Sequence, residues 1–258
     1  MNDELLLRYS RQIMLPQIDI WGQEKIIQAR VLIIGAGGLG CPAAMYLAAA
    51  GIGHLTLADD DKVELSNLQR QIAHHTQDIG QPKAESAKRT LLSLNPNVQA
   101  EALCERLQGP PLLEQVKKAD IVLDCSDNFS TRFDVNRACV QTRTPLVSGA
   151  AIRFEGQVAV FDPRQQDSPC YNCLYPDLEE LAESCSETGV IAPITGIVGS
   201  IQALEAIKVL LNIGRPLTGR LLLLDGLTME WQYMALPQNA ACPTCQSEPI
   251  SFPHEKNS

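Results

Sequence analysis

The sequence predicts an α/β protein built on a mostly parallel sheet with helices on both faces, extended by antiparallel strands at its C-terminal end. Three observations predict it. Short apolar strands alternate with helical patterns from residue 31 to 150, the signature of right-handed βαβ crossovers. The first strand, VLII (31–34), runs directly into GAGGLG (35–40), a turn that opens a helix whose first amides can face a phosphate. The apolar runs LLLLDG (221–226) and MEWQYMAL (229–236) then close the fold.

In chain order, DELLLRYSRQIML (3–15) and GQEKIIQAR (22–30) are expected as short helices ahead of strand 31–34. The helix after the glycine turn, 39–50, is rich in alanine and can pack close to the sheet; strand LTLA (55–58) follows. PKAESAKRTLLSLN (82–95) carries Pro82 at its first turn and sets Ala84, Ala87, Leu91 and Leu94 on one stripe, an amphipathic helix. A weaker strand (98–104), a helix (111–118), strand DIVLDC (120–125), a helix (129–142) and strand PLVSGA (145–150) complete the alternation. GQVAVFDP (156–163) is a further strand, and 163–190 is polar and without periodicity, which in a compact domain points to a functional segment. Over 193–212 a long helix is expected to be nearly buried, with Gln202, Glu205, Lys208 and Asn212 as its narrow polar stripe.

The chain therefore reads as one domain over residues 1–245: N-terminal helices to 30, a nucleotide-binding half over 31–150, a second half over 151–245, and a disordered tail from 246 to 258. A formal charge of −9 argues against a nucleic-acid partner, which would select a basic surface. The N-terminus MNDELLLRYS has acids where a secretory signal would have Lys or Arg, and no span is read as approaching the roughly 20 apolar residues of a membrane helix. A cytoplasmic location is expected, where thiols stay reduced, so nine cysteines suggest metal ligation or catalysis more than disulfides.

Gly35, Gly37 and Gly40 satisfy G-x-G-x-x-G, and Asp59 ends the next strand, placed to accept from ribose hydroxyls. That Rossmann-like pattern fits NAD and ATP equally well. Asp60 and Asp61 read as solvated loop carboxylates, although such an acidic cluster could help to hold Mg²⁺. What does not fit hydride transfer is SNLQRQ (66–71), GQPK (80–83) and DCSDN (124–128), each with polar or charged residues on the ligand edge of the sheet. Taken singly, Arg70 and Lys83 would be surface cations, and Asp127 and Asn128 a helix N-cap.

The cysteines divide. Cys170-Tyr-Asn-Cys173 and Cys242-Pro-Thr-Cys245 are two metal-type pairs, expected to form one tetrahedral structural zinc site from distant segments. A redox role for CPTC is disfavoured, because redox pairs open a helix after a strand. Cys41, Cys125 and Cys139 sit among apolar residues and are expected in the core, Cys104 is uninformative, and His54, His74, His75 and His254 are expected in loops or at the surface.

RYSRQ (8–12), GAGGLG (35–40), LADDD with SNLQRQ (57–71), GQPK (80–83), DCSDN (124–128), GVIAP (189–193) and the two Cys-x-x-Cys pairs together resemble the MoeB/ThiF family of sulfur-carrier adenylyltransferases, relatives of the ubiquitin-activating enzymes. The resemblance spans residues 4 to 245 and implies a role for each matched position. Gly35, Gly37, Gly38 and Gly40 would lie against ATP, with Asp59 on the ribose and Asp61, Ser66 and Asn128 beside the nucleotide. Asn67, Arg70 and Lys83 would contact the polyphosphate, Asp127 would serve Mg²⁺, and Arg11, not Arg8, would reach in from the neighbouring subunit of a homodimer. It implies adenylylation of the C-terminal glycine of a ubiquitin-like sulfur carrier ending in Gly-Gly, with a sulfur donor such as a cysteine desulfurase acting next.

Cys185, in ESCSETGVIAP, lies where related enzymes can carry a cysteine that bonds to the carrier or relays sulfur. SGAAIRFEGQ (148–157) is similar to the activators of molybdopterin synthase, with a MoaD-type carrier, whereas YSRQ, LADDD and CLYPD are similar to the thiamine-pathway enzymes, with a ThiS-type carrier. The reading leans to the first. An NAD-dependent oxidoreductase would leave Arg11, Arg70, Lys83 and the paired cysteines without a task, and a non-catalytic scaffold would have lost the charged set.

Overall fold

The computed structural model describes residues 1–175 and 189–246. Three helices lead in: α1 (Asp3–Arg8), α2 (Ser10–Ile13) and α3 (Asp19–Gln28). The expected helix over 3–15 is broken at Tyr9 because that ring turns into the core. Its hydroxyl accepts from Asn95 Nδ2 at 2.8 Å, and its edge covers Gly51, where a Cβ would come within 2.6 Å of the ring.

The alternation follows as β1 (Arg30–Ile34), α4 (Gly40–Ala50), β2 (His54–Ala58), α5 (Lys83–Leu94), β3 (Gln99–Leu103), α6 (Gly109–Lys118), β4 (Ile121–Asp124), α7 (Phe129–Thr142) and β5 (Leu146–Ile152). The hairpin partner β6 (Glu155–Phe161), the short α8 (Tyr171–Leu174), the long α9 (Ala192–Leu211), β7 (Arg220–Asp225) and β8 (Glu230–Ala235) complete the described chain. All eight strands form one sheet in the order β3-β2-β1-β4-β5-β6-β7-β8. Pairing is parallel from β3 to β5 and antiparallel from β5 to β8.

Alternating side chains explain why helices cover both faces of the parallel half. Val31 and Ile33 of β1 pack into the core shared with α4, α5 and α9, while Leu32 and Ile34 pack into the core shared with α6, α7 and α8. Strand order reverses between β1 and β4, where Ile34 pairs with Asp124. The carboxyl ends of those two strands diverge there into a crevice, the ordinary ligand position in such sheets.

Two expectations are corrected. Leu94 is 41% exposed, because it ends α5 beyond the edge of the packed layer, whereas Ala84, Ala87 and Leu91 are fully buried. Helix α9 is long and apolar enough to cross a membrane by length and composition, yet Ile194, Val198, Ala203, Ala206 and Val209 lie in the core, so it is nearly buried as expected. Its polar stripe is exposed only at Asn212. Gln202 and Glu205 are buried, Gln202 Nε2 donating to the carbonyls of Asp124 (2.8 Å) and Val147 (3.2 Å), and Glu205 Oε2 accepting from the Leu217 N–H at 2.8 Å. These are backbone groups that strand ends leave open, and a buried acceptor without a donor is costly.

Candidate active site

The glycine turn is built by close approach. Gly35 has φ of +92°, and a Cβ on it would lie 2.9 Å from the Cys125 carbonyl oxygen at the end of β4; at Gly40 a Cβ would lie 1.9 Å from the Gly35 carbonyl. Any side chain at either position would drive the turn away from the crevice. Gly35, Gly37 and Gly38 line the resulting cavity, and Gly40 instead seats α4 against the turn.

One carboxylate fastens the turn to the neighbouring strand. Asp59 Oδ2 accepts from the Ala36 N–H at 2.7 Å and Oδ1 from the Asp61 N–H at 2.9 Å. Burial raises the Asp59 carboxyl above the usual carboxylate value, and the Ala36 N–H and the Lys83 ammonium offset part of that rise. Lys83, contrary to a surface reading, is buried, and its Nζ reaches Asp61 Oδ2 at 2.7 Å. Arg70 is held half-buried by a bond from Nη1 to the Ser66 carbonyl at 3.1 Å.

The cavity encloses about 860 Å³ and brings together Gly35, Gly37, Gly38, Asp59, Asp61, Arg70, Lys83, Asp127 and Asn128. Asn128 also caps α7, accepting from the Thr131 N–H at 2.9 Å, so the N-cap reading of that residue holds while it also lines the cavity. Ser66 and Asn67 are not on its wall. The Ser66 hydroxyl donates to Glu64 Oε2 at 3.2 Å, and Asn67 Oδ1 accepts from the Glu64 N–H at 3.1 Å, which folds the turn that presents Arg70. Arg11 is exposed on α2 and is not among the lining residues. Cys185 lies outside the described residues.

From the glycine turn the cavity runs past the β5–β6 hairpin to β7 and β8, lined by Ala150, Gln157, Tyr171, Tyr175, Leu224 and Gln232. Gln157 Nε2 donates to the Tyr175 hydroxyl at 2.8 Å, tying the hairpin to the segment that follows α8. The space thus has a charged end over the parallel half and a less charged arm under the antiparallel half.

Several residues were not foreseen. Arg106 lines the cavity and reaches Thr131 Oγ1 at 3.3 Å and Asn128 Oδ1 at 3.4 Å. Arg132 is buried on the inner face of α7, 3.7 Å from the buried Asp124, and donates to the Ser126 carbonyl, so it fixes the loop that carries Asp127. A cation on the apolar face of a predicted helix was the signal available for it. His74 corrects the surface reading: it is 5% exposed, burial lowers its pKa, and its Nε2 lies 2.9 Å from the Ala36 carbonyl oxygen. Cys41, Cys125 and Cys139 are in the core as expected, their thiols pushed up by burial and hence inert, Cys41 to about 12.

A second cluster lies apart from the cavity charges. The Sγ atoms of Cys170, Cys173, Cys242 and Cys245 all fall within 4.8 Å of one another. The nearest partners are between segments, Cys170 to Cys242 and Cys173 to Cys245, each at 3.6 Å. A disulfide would need about 2.05 Å, whereas a tetrahedral S₄ site with metal–sulfur bonds of about 2.3 Å spaces its sulfurs about 3.8 Å apart. The donor set fits a soft divalent metal.

The ThiF family model matches residues 9–244. The chain is 49% identical over 245 residues to the sulfur carrier protein ThiS adenylyltransferase of Escherichia coli K12, covering 95% of this chain and 97% of that one. It is 50% identical over 239 residues to the molybdopterin-synthase adenylyltransferase of Haemophilus influenzae, covering 93% and 98%. A crystal structure of E. coli MccB with ATP superposes with a TM-score of 0.80 at 24% identity, over 93% of this chain and 75% of that one, a likeness of fold. With the glycine turn, the charged crevice and the four-cysteine cluster all within the matched span, the chain belongs to the ThiF family.

Proposed function

We propose that this chain is a nucleotidyltransferase that uses ATP to adenylylate the C-terminal glycine of a small ubiquitin-like sulfur carrier, giving an acyl-adenylate and pyrophosphate. The observation that carries this reading is that one cavity joins the glycine turn, Asp59, Arg70, Lys83 and Asp127 to a long arm under β6–β8. One end suits a nucleotide and the other an extended peptide tail.

The carrier's carboxylate must attack the α-phosphorus while pyrophosphate leaves, and both reactants are anionic. Arg70 and Lys83, with Arg11 contributed by the second subunit of a homodimer, offset that repulsion and hold the groups in line, which is the main demand of such a transfer. Asp59 accepts from the ribose, and Asp61, released from Lys83 by the polyphosphate, is free to turn toward a cation. Asp127 would hold Mg²⁺, which supplies further charge neutralisation when bound. No protein base is required, since the attacking carboxylate is already ionised. The four cysteines suit structural Zn²⁺, which would join the C-terminal turn to α8. Sulfur transfer to the adenylate then falls to a donor such as a cysteine desulfurase, in the cytoplasm.

Overall identity does not separate the two carrier types, at 49% and 50% to representatives of each. The reading leans to a MoaD-type carrier, supported by Ala150, Ala151, Ile152, Glu155, Gly156 and Gln157 of the stretch similar to the molybdopterin-pathway enzymes, which line the arm; the thiamine-like LADDD and CLYPD also reach the cavity, through Ala58, Asp59, Asp60, Asp61 and Tyr175. The test is exchange of labelled pyrophosphate into ATP with each purified carrier. Exchange dependent on the MoaD-type carrier is expected; exchange with the ThiS-type carrier alone reverses the assignment, and exchange with neither overturns the function.

A further inference from the structure

Behind the glycine turn, on the side away from the cavity, a line of polar groups, exposed at Arg89 and buried from Asp78 inward, ends on the Ala36 carbonyl. The Arg89 guanidinium donates to Asp78 Oδ1 at 2.8 Å, the Ser86 hydroxyl lies 3.0 Å from Asp78 Oδ2, and His74 Nδ1 lies 2.9 Å from that hydroxyl. His74 Nε2 then lies 2.9 Å from the Ala36 carbonyl oxygen. Ser86, Asp78 and His74 are 0%, 4% and 5% exposed, so water does not replace these bonds.

A carbonyl oxygen can only accept, so Nε2 carries the imidazole proton, and Nδ1 of the neutral ring accepts from Ser86. The single hydroxyl proton of Ser86 then goes to Nδ1 rather than to Asp78 Oδ2, which keeps the His75 N–H at 2.9 Å. The ring orientation is therefore set by Ser86 on one side and read out at Ala36 on the other. Ala36 is the hinge of the turn. Its N–H is bonded to Asp59 Oδ2 at 2.7 Å and its carbonyl to His74, with the Cys41 thiol a weaker second donor at 3.2 Å. The peptide between Gly35 and Gly37, both of which line the cavity, is thus clamped from both faces.

We propose that His74 is a positioning residue for nucleotide binding, and that it acts with Ser86 as a buried relay that fixes the backbone at Ala36 and so the curvature of the glycine turn. The proposal rests on the turn being the nucleotide cradle. His74 touches no substrate; its effect is on how well the backbone amides of the turn are preorganised before ATP arrives. Because the relay begins in the loop and helix that also present Lys83, it joins the backbone and side-chain halves of the phosphate site.

The test is calorimetric titration of ATP into the full-length protein, together with pyrophosphate-exchange kinetics. His74→Phe fills the ring's volume without a donor, and His74→Gln keeps an N–H within reach of Ala36. Loss of the one bond is expected to weaken ATP binding about tenfold and to raise KM for ATP equally, leaving kcat at saturating ATP within about twofold. His74→Gln should recover most of the affinity. Ser86→Ala alone should weaken ATP binding to a smaller degree, and should add nothing when combined with His74→Phe. Wild-type affinity in a folded His74→Phe protein, a loss confined to kcat, or full additivity with Ser86→Ala would overturn the relay. If His74→Phe does not fold, Ser86→Ala decides alone: unchanged ATP affinity overturns the proposal. A wild-type protein that binds no ATP would instead overturn the function on which the proposal rests.

Discussion

The two ends of the cavity are built in different ways. At the nucleotide end the sheet is parallel, its inner strands β1 and β4 are almost wholly buried, and the functional groups hang from strand ends and helix starts around one crevice: Gly35 after β1, Asp59 after β2, Asp127 after β4, Lys83 at the start of α5. At the other end the sheet is antiparallel, β8 is exposed along its whole length, and the wall is tied to α8 by cysteines 72 residues apart. The first end is held by core packing alone; the second shares that core through β6 and β7, and on the proposed metal reading would also be cross-linked through the four cysteines. That difference teaches where function should break. Damage to the core-held end should remove chemistry and leave the fold, and damage to the cross-linked end should loosen the fold and leave nucleotide binding.

The largest expected effects lie in the charged set. Arg70→Ala, Asp127→Ala and Arg11→Ala should each lower carrier-dependent exchange by about 100-fold or more, the usual cost of removing a preorganised charge or donor from such a site. Their melting temperatures should stay within a few degrees of wild type, and full exchange activity in these variants would remove the assigned roles. The cross-link comes next. Metal analysis should find about one zinc per chain, and Cys242→Ser should lose it, lower the melting temperature by about 5–10 °C, and keep ATP affinity within about threefold. If ATP binding collapses together with the metal, the two ends are not independent.

The smallest effect is a pH dependence in the turn after β6. Burial would raise the Asp162 carboxyl, but bonds from Arg164 and Gln165 outweigh it and hold its pKa below the usual value. A folded-state value below the unfolded one contributes stability that is complete above about pH 4 and is lost as pH falls through the folded value. Unfolding free energies of wild type and Asp162→Asn from urea titrations should therefore differ by about 1 kcal/mol or less at pH 6 and converge toward pH 2. A gap that widens on acidification would reverse the sign of this contribution.

Much of the architecture was legible because each β-α step carries its own periodicity and several cavity charges, Asp59, Arg70, Lys83 and Asp127 among them, sit in local motifs. What was not legible depends on partners far along the chain. Gln202 and Glu205 read only as part of a narrow polar stripe, with no partner to assign; in the fold they serve the carbonyls of Asp124 and Val147 and the N–H of Leu217, which reach α9 from other elements. His74 lies in a loop as read, but its burial was not legible because its partners, Ala36 and Ser86, lie 38 and 12 positions away. Arg132 was passed over within a helix whose length and ends were readable, because Asp124 is not on that helix. Period and motif report on neighbours in sequence; buried polar pairs report on topology.

The central claim is that a carrier's terminal carboxylate and the α-phosphate of ATP meet in this one cavity. It is tested most directly by pyrophosphate exchange with two forms of the same carrier, one ending in a free glycine carboxylate and one ending in the glycine amide. The account predicts exchange with the first and none above background with the second. Equal exchange with both forms, or exchange with no carrier present, would contradict it.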